Sequence, residues 1–439
     1  INPRRIETAR AGEHLFIRPD TDVYFLAAFC NEVIRRGGVD RPRVERYMKN
    51  FDELAAAVAP WTPERQAEVT GIGAGTLREL VSAYIEAGAA CLNMATGVNQ
   101  GRSGTLCYWL LEAIGAISGN FDRLGGTLIG EGILDFAVLA KDDPQMQCTS
   151  HREDGLLTVS GQQPAGMLAD DIDNGYVQAL IVEASNPLLA CGNPAGRMED
   201  TLQQLELLVS IDLFRNETGN LAHYILPATS WMERSGMPYA LQSFAGCTPT
   251  PYLYASGPVL EPPPQVRHEW WIYTRLADKL GVTLMGNRLI SAFLKAAARL
   301  AHTPAGGWVK IPELMISGML KKAGQPGLKQ MLRDYPNGLR LPDNTGENFL
   351  GTDRVLTDDG RVDLAPPDFV ATFNDSVAGL YQQELANKGR MKLIGKREVK
   401  RMNTSCANSD RLVRETTNYA YINPQDAERI GVADKAYVE

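Results

Sequence analysis

Apolar residues recur along the chain with two different spacings, which predict an alternation of strands and helices. Short continuous apolar runs at 177–182 (VQALIV) and 205–209 (LELLV) are typical of strands buried in a parallel sheet. Between them, residues 198–204 predict a helix. Two strands separated by a helix indicate a right-handed βαβ unit. The pattern therefore predicts an open α/β fold.

Longer stretches predict the helices of the chain. Several are bounded by residues that favour helix ends, such as Thr62 and Pro63 at a start and Gly281 after an end. The predicted helices span 23–34, 61–71, 76–87, 105–117, 268–280, 288–301 and 311–323. A further apolar run at 89–94 (AACLNM) predicts a short buried strand ahead of a glycine-rich segment.

Composition limits the classes of function. The 439 residues are 44% hydrophobic, so the chain can bury a large core, and its length predicts two to four domains. A net charge of −8 argues against general binding to nucleic acid or to a membrane surface. No apolar run of about 18 residues occurs, so no transmembrane helix is expected.

The seven cysteines are scattered, and none forms a C-x-x-C pair. No iron–sulfur or zinc site is therefore encoded at a recognisable spacing. We expect free thiols in a reducing compartment, mostly as core residues. Met146, Cys148 and His151 lie close together, but no second group of ligands accompanies them, and we expect no metal site there.

Polar residues follow both predicted strands of the βαβ unit. Ligands of open α/β sheets bind just past the carboxyl ends of the strands. Asp212 stands there, and its carboxylate could accept hydrogen bonds from N1–H and N2–H of a guanine. A loop aspartate that caps the next helix is the alternative, and spacing alone favours it. Asn186, ahead of Pro187, is either a second ligand contact or part of a plain turn.

The first hundred residues contain three further candidate segments. Arg4 and Arg5 present the fixed donor forks that suit phosphate or guanine, unless they belong to a solvated basic turn. Thr21 and Asp22 could bind a ligand, start the following helix, or both. Residues 96–104 (TGVNQGRSG) allow close backbone approach, although glycine-rich turns of this kind are common.

Several of these segments resemble, in the same order, signatures of the molybdopterin oxidoreductases. They are 1–8 (INPRRIET), 17–22 (IRPDTD), 96–104, and 211–236 (IDLFRNETGNLAHYILPATSWMERSG). Enzymes of this family hold molybdenum or tungsten between two molybdopterin guanine dinucleotides. The chain departs from the family pattern at Asn2, Asp20 and His223, where Asp, Gly and Asp are usual. His223 is interpreted as a structural residue.

The resemblance implies a set of cofactor contacts. Asp212 would bind one guanine, while Asn186 and Arg234 would line a shared cleft. The full set of implied contacts is Arg4, Arg5, Thr21, Asp22, Thr96, Gly97, Gln100, Asn186, Asp212, Glu217, Arg234, Arg401 and Asn403. The resemblance assigns no catalytic residue and no metal ligand to this chain, because the relatives' metal ligand precedes the segment that corresponds to 1–8.

The same resemblance implies two Rossmann-like αβα parallel-sheet units and the start of a C-terminal β-barrel. The corresponding domains would be 1–127, 128–345 and 346–439. An iron–sulfur cluster would lie, if present, before residue 1. The chain is accordingly expected to be a central fragment, inactive by itself and cytoplasmic.

The intact protein would catalyse two-electron redox of a small substrate of the formate or nitrate type. It would work with an electron-transfer partner, without nucleic acid and without inserting into a membrane. The alternative is a non-catalytic scaffold with a degenerate version of the fold, as in the large iron–sulfur subunit of respiratory complex I. The implied contacts weigh against a scaffold, and the three departures from the family pattern weigh for it.

Overall fold

The computed structural model describes residues 1–130, 132, 158, 162–191, 196–237, 248–303, 309–395, 409, 411–412 and 419–437. The chain forms two compact units. Unit 1 comprises Ile1–Gln163 and Ala228–Ile394, and unit 2 comprises Pro164–Pro227 and Gly395–Glu439. The three predicted domains divide the chain differently, and they stay predictions about the whole protein.

Helices make up most of the regular structure. Numbered along the described part of the chain, they are α1 Asp22–Arg35, α2 Arg41–Tyr47, α3 Phe51–Val58, α4 Pro63–Thr70, α5 Ala74–Glu86, α6 Thr96–Asn99, α7 Gly104–Ile117, α8 Leu168–Asp173, α9 Pro187–Ala190, α10 Met198–Gln203, α11 Glu217–Leu221, α12 Glu269–Lys279, α13 Arg288–Leu300, α14 Ile311–Lys322, α15 Leu328–Asp334, α16 Pro367–Thr372, α17 Ala378–Ala386 and α18 Pro424–Arg429. Short 3₁₀ helices span Glu7–Arg10, Ala165–Met167 and Leu284–Gly286, and a π-helical turn spans Phe373–Val377. Every predicted helix is confirmed, with its ends shifted by no more than two residues.

The strands in the described ranges are few and short. They are β1 Met48–Lys49, β2 Ala179–Glu183, β3 Leu207–Asp212, β4 Tyr224–Pro227, β5 Tyr252–Leu253, β6 Leu339–Arg340 and β7 Val362–Asp363. β1 pairs with β7 in parallel and β5 pairs with β6 antiparallel, each over two residues. The structure is thus mixed α/β, as expected. No helix in the described ranges is both long and apolar enough to span a membrane.

Helix α1 forms the centre of unit 1. Eleven of its fourteen residues are buried. A helix buried nearly all round needs cover on several sides, and α1 packs against α3, α4, α5 and α7. Aromatic rings complete this core edge-on: Trp61 lies 5.5 Å from Tyr381 and Trp109 lies 5.6 Å from Phe373, between ring centroids. The core therefore joins the N-terminal helices to the distant segment 367–386.

A buried carboxylate makes a second connection within unit 1. Asp122 is fully buried, and its oxygens accept hydrogen bonds from the backbone N–H groups of Asn348, Phe349 and Leu350 at 3.3, 2.9 and 2.9 Å. In the same turn, a Cβ on Gly126 would lie 2.0 Å from the carbonyl oxygen of Asn120, so only glycine fits there. These contacts fix the chain where α7 has ended.

The described part of unit 2 contains a three-stranded parallel sheet with β3 in the middle. β2 and β4 both pair with β3 in parallel, so the carboxyl ends of all three strands lie at one edge. Met198 and Leu202 of α10 and Leu208 of β3 are fully buried in its apolar cluster. The two predicted strands and their parallel pairing are confirmed.

His223 has the structural role that was expected of it. Its Nδ1 accepts a hydrogen bond from the backbone N–H of Leu208 at 2.9 Å, and its own N–H donates to the carbonyl of Leu208 at 2.8 Å. The side chain thus extends the backbone pairing between β3 and β4. A carboxylate here could also accept from Leu208, so histidine at this position is compatible with the same fold.

One predicted strand is wrong. Residues 90–95 have no regular structure. The N–H of Ala90 donates to the side-chain oxygen of Asn120 at 3.0 Å rather than to a neighbouring strand. An apolar run forms a strand only when another strand pairs with it, and none in the described ranges does so here.

The expected first sheet and the barrel are not seen among the described residues. Within residues 1–130, β1 is the strand that the structure describes, and within 346–437 it is β7. The described part of 367–386 is helical. Two Rossmann-like units and a barrel therefore stay predictions about the whole protein.

Candidate cofactor-binding site

The carboxyl edge of the unit 2 sheet brings three of the predicted contacts close together. Asn186 follows β2, Asp212 ends β3, and Glu217 begins α11 just beyond. Ala184, at the turn after β2, has a left-handed φ of 46°, and its N–H donates to the carbonyl of Ile211 at 2.9 Å. The two strand ends are thereby held side by side, as expected for a ligand-binding edge of an α/β sheet.

Asp212 is half-buried and accepts three hydrogen bonds. Its Oδ1 accepts from the backbone N–H groups of Leu213 and Phe214 at 2.6 and 3.1 Å. Its Oδ2 accepts from Nδ2 of Asn216 at 3.1 Å. A carboxylate oxygen has two lone pairs, so Oδ1 is fully used and Oδ2 can accept one more donor. A guanine that engages both oxygens would have to displace one of the two backbone donors.

The alternative role for Asp212, capping the next helix, belongs to Asn216 instead. Asn216 is the N-cap of α11, and its Oδ1 accepts from the N–H of Gly219 at 2.8 Å. Its Nδ2 also donates to the carbonyl of Ser185 at 3.2 Å, in addition to its bond with Asp212. One amide side chain therefore ties the ends of β2 and β3 to the start of the helix.

Asn186 positions Glu217. Only 6% of Asn186 is exposed. Its Nδ2 donates to Oε2 of Glu217 at 2.7 Å, and its Oδ1 accepts from the hydroxyl and the N–H of Thr218 at 2.7 and 3.3 Å. Thr218 accepts in turn from the N–H of Leu188 at 3.1 Å. Glu217 is exposed, so the carboxylate that this network orients can reach a ligand.

Five of the contacts predicted in unit 1 lie at the start of α1 and around α6. Thr21 is fully buried, and its hydroxyl donates to the carbonyl of Arg18 at 2.6 Å rather than capping α1. Asp22 is the first residue of α1, and burial raises the pKa of its carboxyl, although a hydrogen bond with its own backbone N–H opposes this. Thr96 and Gly97 begin the short helix α6, where Gly97 is exposed and a Cβ on it would meet nothing within 4 Å. Gln100 follows α6 and is exposed.

Arg4 and Arg5 are exposed cations. The backbone N–H of Arg4 donates to the side chain of Asn2 at 3.1 Å. Their guanidinium groups make no hydrogen bond or ion pair with any other residue that the structure describes. Both guanidinium groups are therefore available to an anionic ligand.

Arg234 already has a partner within the protein. Its guanidinium pairs with the carboxylate of Glu269, which also lies 3.0 Å from Nδ1 of His268. Burial alone would raise the pKa of Glu269, but the hydrogen bond from His268, a backbone N–H and the charge of Arg234 lower it to about 2. A role for Arg234 in phosphate binding would thus require it to share this ion pair. Arg401 and Asn403 lie outside the described residues.

Sequence reasoning missed the residues that organise the site. Asn216 and Thr218 hydrogen-bond to Asp212 and Asn186, and Arg102 pairs with Asp20 and Glu384. None of these four partners was predicted. An N-cap signal, Asn216 followed by Glu217 at the start of a helix, could have identified the first of these. No local signal could have paired Arg102 with Glu384.

Neither of two open cavities coincides with the predicted contacts. One, of about 600 Å³, is lined by Trp271, Arg275, Asp278, Lys279, Ala298, Arg299, His302 and Thr303. The other, of about 360 Å³, lies beside Arg18, Thr70 and Lys388.

Four cysteines in the described ranges are free thiols. Cys30 and Cys107 are buried, and burial raises the pKa of each to about 12, so both behave as apolar core residues. Cys91 is exposed and Cys191 is half-buried. Among the residues that the structure describes, no group of three or more His, Cys, Asp and Glu side chains is placed to bind a metal ion.

Comparison with known proteins gives consistent matches over the whole chain. The family model described as "Molybdopterin oxidoreductase" matches residues 1–279. Formate dehydrogenase H of Escherichia coli is 24% identical, over 100% of this chain and 59% of its own length. The F420-dependent formate dehydrogenase subunit alpha of Methanocaldococcus jannaschii is 25% identical, over 98% of this chain and 62% of its own length. The chain thus spans about three fifths of the length of these relatives.

A solved structure shares the fold. Acetylene hydratase from Pelobacter acetylenicus superposes with a TM-score of 0.70 at 19% identity, over 98% of this chain and 61% of that chain. At this level of identity the likeness concerns the fold alone.

Proposed function

The chain belongs to the molybdopterin oxidoreductase family, and on that premise we propose that the whole protein is a molybdenum or tungsten oxidoreductase with two molybdopterin guanine dinucleotides. The observation that carries the proposal is the grouping of Asn186, Asp212 and Glu217 at the carboxyl edge of the parallel sheet. The proposal also includes two Rossmann-like units and a barrel in the complete protein.

The chemistry of the residues fits this cofactor. Guanine presents two N–H donors, and Asp212 offers an oxygen with unused acceptor capacity beside the exposed side chains of Leu213 and Phe214. A pyrophosphate requires cations, and Arg4 and Arg5 are exposed and unpaired in the described structure. Gly97 leaves its backbone open to close approach.

The bound cofactor supplies two-electron redox chemistry, and the residues of this chain bind and orient it. Asp212 receives the guanine edge, and Asn216 keeps that carboxylate turned toward the sheet edge. Asn186 holds the carboxylate of Glu217 in one orientation. Arg4 and Arg5, whose guanidinium groups have no partner among the described residues, receive the phosphates.

We assign the substrate to small molecules of the formate or nitrate type. The names of the relatives reported above support the formate assignment. Acetylene hydratase, whose name describes addition of water, shows that this fold is not confined to one reaction. Two assays in parallel separate these options. One measures formate oxidation coupled to reduction of an artificial dye, and the other measures nitrate reduction coupled to oxidation of a reduced dye.

Cofactor analysis of the whole protein tests the proposal. We expect acid hydrolysis to release two guanine nucleotides for each molybdenum or tungsten ion measured by plasma mass spectrometry. Protein that is folded but free of both metal and guanine would refute it.

Substitution of Asp212 tests the guanine contact. Asp212→Asn keeps the size and the Oδ1 acceptor but replaces Oδ2 with a donor, which repels guanine N–H groups. We expect guanine retention to fall at least about tenfold, which corresponds to about 1.4 kcal/mol. Asp200→Asn, the same change at an exposed position of α10, is the control and should retain the wild-type amount.

The alternative is a non-catalytic scaffold. One observation favours it, namely that Arg234 and Asn186 already have protein partners. A scaffold predicts that Asp212→Asn changes only stability and that no guanine is released from the wild-type protein.

A further inference from the structure

Arg102 connects two loops that carry predicted cofactor contacts. Its backbone N–H donates to Oδ1 of Asp20 at 2.8 Å, and its Nε donates to Oδ2 of the same carboxylate at 2.6 Å. Asp20 directly precedes Thr21 and Asp22, and Arg102 lies two positions after Gln100. The pairing therefore joins the segment 18–22 to the segment 96–102 through one carboxylate.

The same guanidinium reaches a buried carboxylate on α17. Nη2 of Arg102 lies 2.5 Å from Oε1 of Glu384, a residue that is only 3% exposed. Glu384 also pairs with Arg18 at 3.3 Å and with Lys392 at 2.7 Å. Lys392 donates to the carbonyl of Pro19 at 2.7 Å as well. Three cations thus converge on Glu384. Arg18 belongs to the loop at 18–20, and Lys392 and Arg102 both contact it.

Asp20 has an unusual backbone conformation for this role. Its φ is +63°, in the left-handed region that costs roughly 1 kcal/mol or more for residues other than glycine. A Cβ on Gly101 would lie 2.5 Å from Oδ1 of Asp20, so the two loops approach as closely as a glycine permits. In this conformation both carboxylate oxygens of Asp20 accept hydrogen bonds from Arg102.

We propose that Asp20 and Arg102 are positioning residues for the cofactor site, and this inference rests on the function proposed above. They align Thr21 and Asp22 with Thr96, Gly97 and Gln100, so that both loops meet the dinucleotide as one surface. In this network the guanidinium group of Arg102 is paired with the carboxylates of Asp20 and Glu384. The phosphates are consequently left to Arg4 and Arg5, whose guanidinium groups are free in the described structure.

Substitutions in this network should leave the fold intact. Without Arg102, Glu384 keeps Arg18 and Lys392 as partners, so no buried charge is left uncompensated. Without the charge of Asp20, Arg102 keeps Glu384. Retention of cofactor can therefore be measured on folded variants.

The experiment compares the whole protein, purified with its cofactor, as wild type, Asp20→Asn and Arg102→Gln. Guanine nucleotide and metal per chain are measured after extended dialysis, and thermal unfolding is measured on the same samples stripped of cofactor. We expect retention to fall at least about fivefold in both variants, equivalent to about 1 kcal/mol, with the melting temperatures of the stripped proteins within a few degrees of wild type. Arg102→Lys keeps the positive charge but not the forked hydrogen-bond donors of the guanidinium group. It should recover part of the cofactor retention.

The matched control is Arg78→Gln. Arg78 pairs with the carboxylate of Glu64 in the same unit but contacts neither loop, and its loss should leave retention unchanged. The positioning role is overturned if Asp20→Asn and Arg102→Gln retain as much cofactor as wild type. It is also overturned if Arg78→Gln loses as much cofactor as they do at the same melting temperature. The proposed function stands in either case. A wild-type protein without guanine overturns both.

Discussion

The two units differ in what holds their central elements. In unit 1, α1 is covered on nearly all sides by apolar and aromatic side chains. In unit 2, Ile181 of β2 and Ile225 of β4 remain 44% and 37% exposed, while side-chain hydrogen bonds join the strand ends. Apolar burial scales with area and dominates folding free energy, whereas a neutral hydrogen bond contributes about 1 kcal/mol. Unit 1 should thus lose most from cavities, and the sheet edge of unit 2 from lost polar contacts.

The largest expected effect is a cavity in the core of unit 1. Leu110 on α7 is fully buried, and Leu110→Ala should lower the free energy of unfolding by about 4 kcal/mol. Leu208→Ala, at a fully buried position of the smaller unit 2 cluster, should cost about 3 kcal/mol or less, because a partly exposed sheet can relax around the gap. Both losses of stability are measured by denaturant unfolding, with amide hydrogen exchange followed separately in unit 1 and unit 2. A larger loss for Leu208→Ala would reverse the comparison.

A charged contact gives unit 1 an acid sensitivity. The folded-state pKa of Glu269 is about 2, below its ordinary 4.5. Stability from this shift is fully present above pH 4.5 and is lost as the pH falls toward 2. Its size is on the order of 3 kcal/mol. Glu269→Gln should therefore be less stable than wild type at pH 7, and the difference should shrink between pH 4.5 and 2. If the stabilities of wild type and Glu269→Gln differed by the same amount throughout pH 4.5 to 2, the lowered pKa of Glu269 would be contradicted.

A smaller effect is expected at the sheet edge of unit 2. Asn216→Ala removes a helix cap and two hydrogen bonds that join the strand ends. We expect a local loss of about 2 kcal/mol, seen as faster amide exchange at 212–219. Asn216→Ser keeps the cap but not the strand contacts and should recover about half. Full recovery by serine would show that the contacts to Asp212 and Ser185 add nothing.

The smallest effect concerns a cap with no second role. The Thr62 hydroxyl accepts from the N–H of Arg65 at 3.2 Å at the start of α4. Thr62→Ala should cost about 1 kcal/mol, measured by thermal unfolding. If it costs as much as Asn216→Ala, the distinction between a simple cap and a bridging cap fails.

Local patterns were sufficient for most helices and for the parallel strands. The predicted helix 105–117 is α7, Gly104–Ile117, and the apolar run 205–209 lies at β3, Leu207–Asp212. The run at 89–94 has comparable apolar character but no partner strand in the described structure, and it stays irregular. Strand formation depends on a second segment, so local composition alone could not decide it.

The candidate site divides in the same way. Asp212 and Asn186 were predicted because parallel strands bring their carboxyl ends to a common edge whatever the side chains are. Their hydrogen-bond partners were not predicted, and neither was the internal ion pair of Arg234 with Glu269.

By itself, the sequence determined the helical and strand periods, the caps at Thr62 and Gly281, and the order of segments that resemble one family. These depend on interactions over a few neighbouring residues, which a linear sequence displays directly. Only the tertiary structure decided that Arg102 pairs with Asp20 and Glu384, and that Asn216 caps α11 while bridging two strand ends. Such contacts join residues that are distant in sequence, so they exist only once packing has brought their segments within hydrogen-bonding distance.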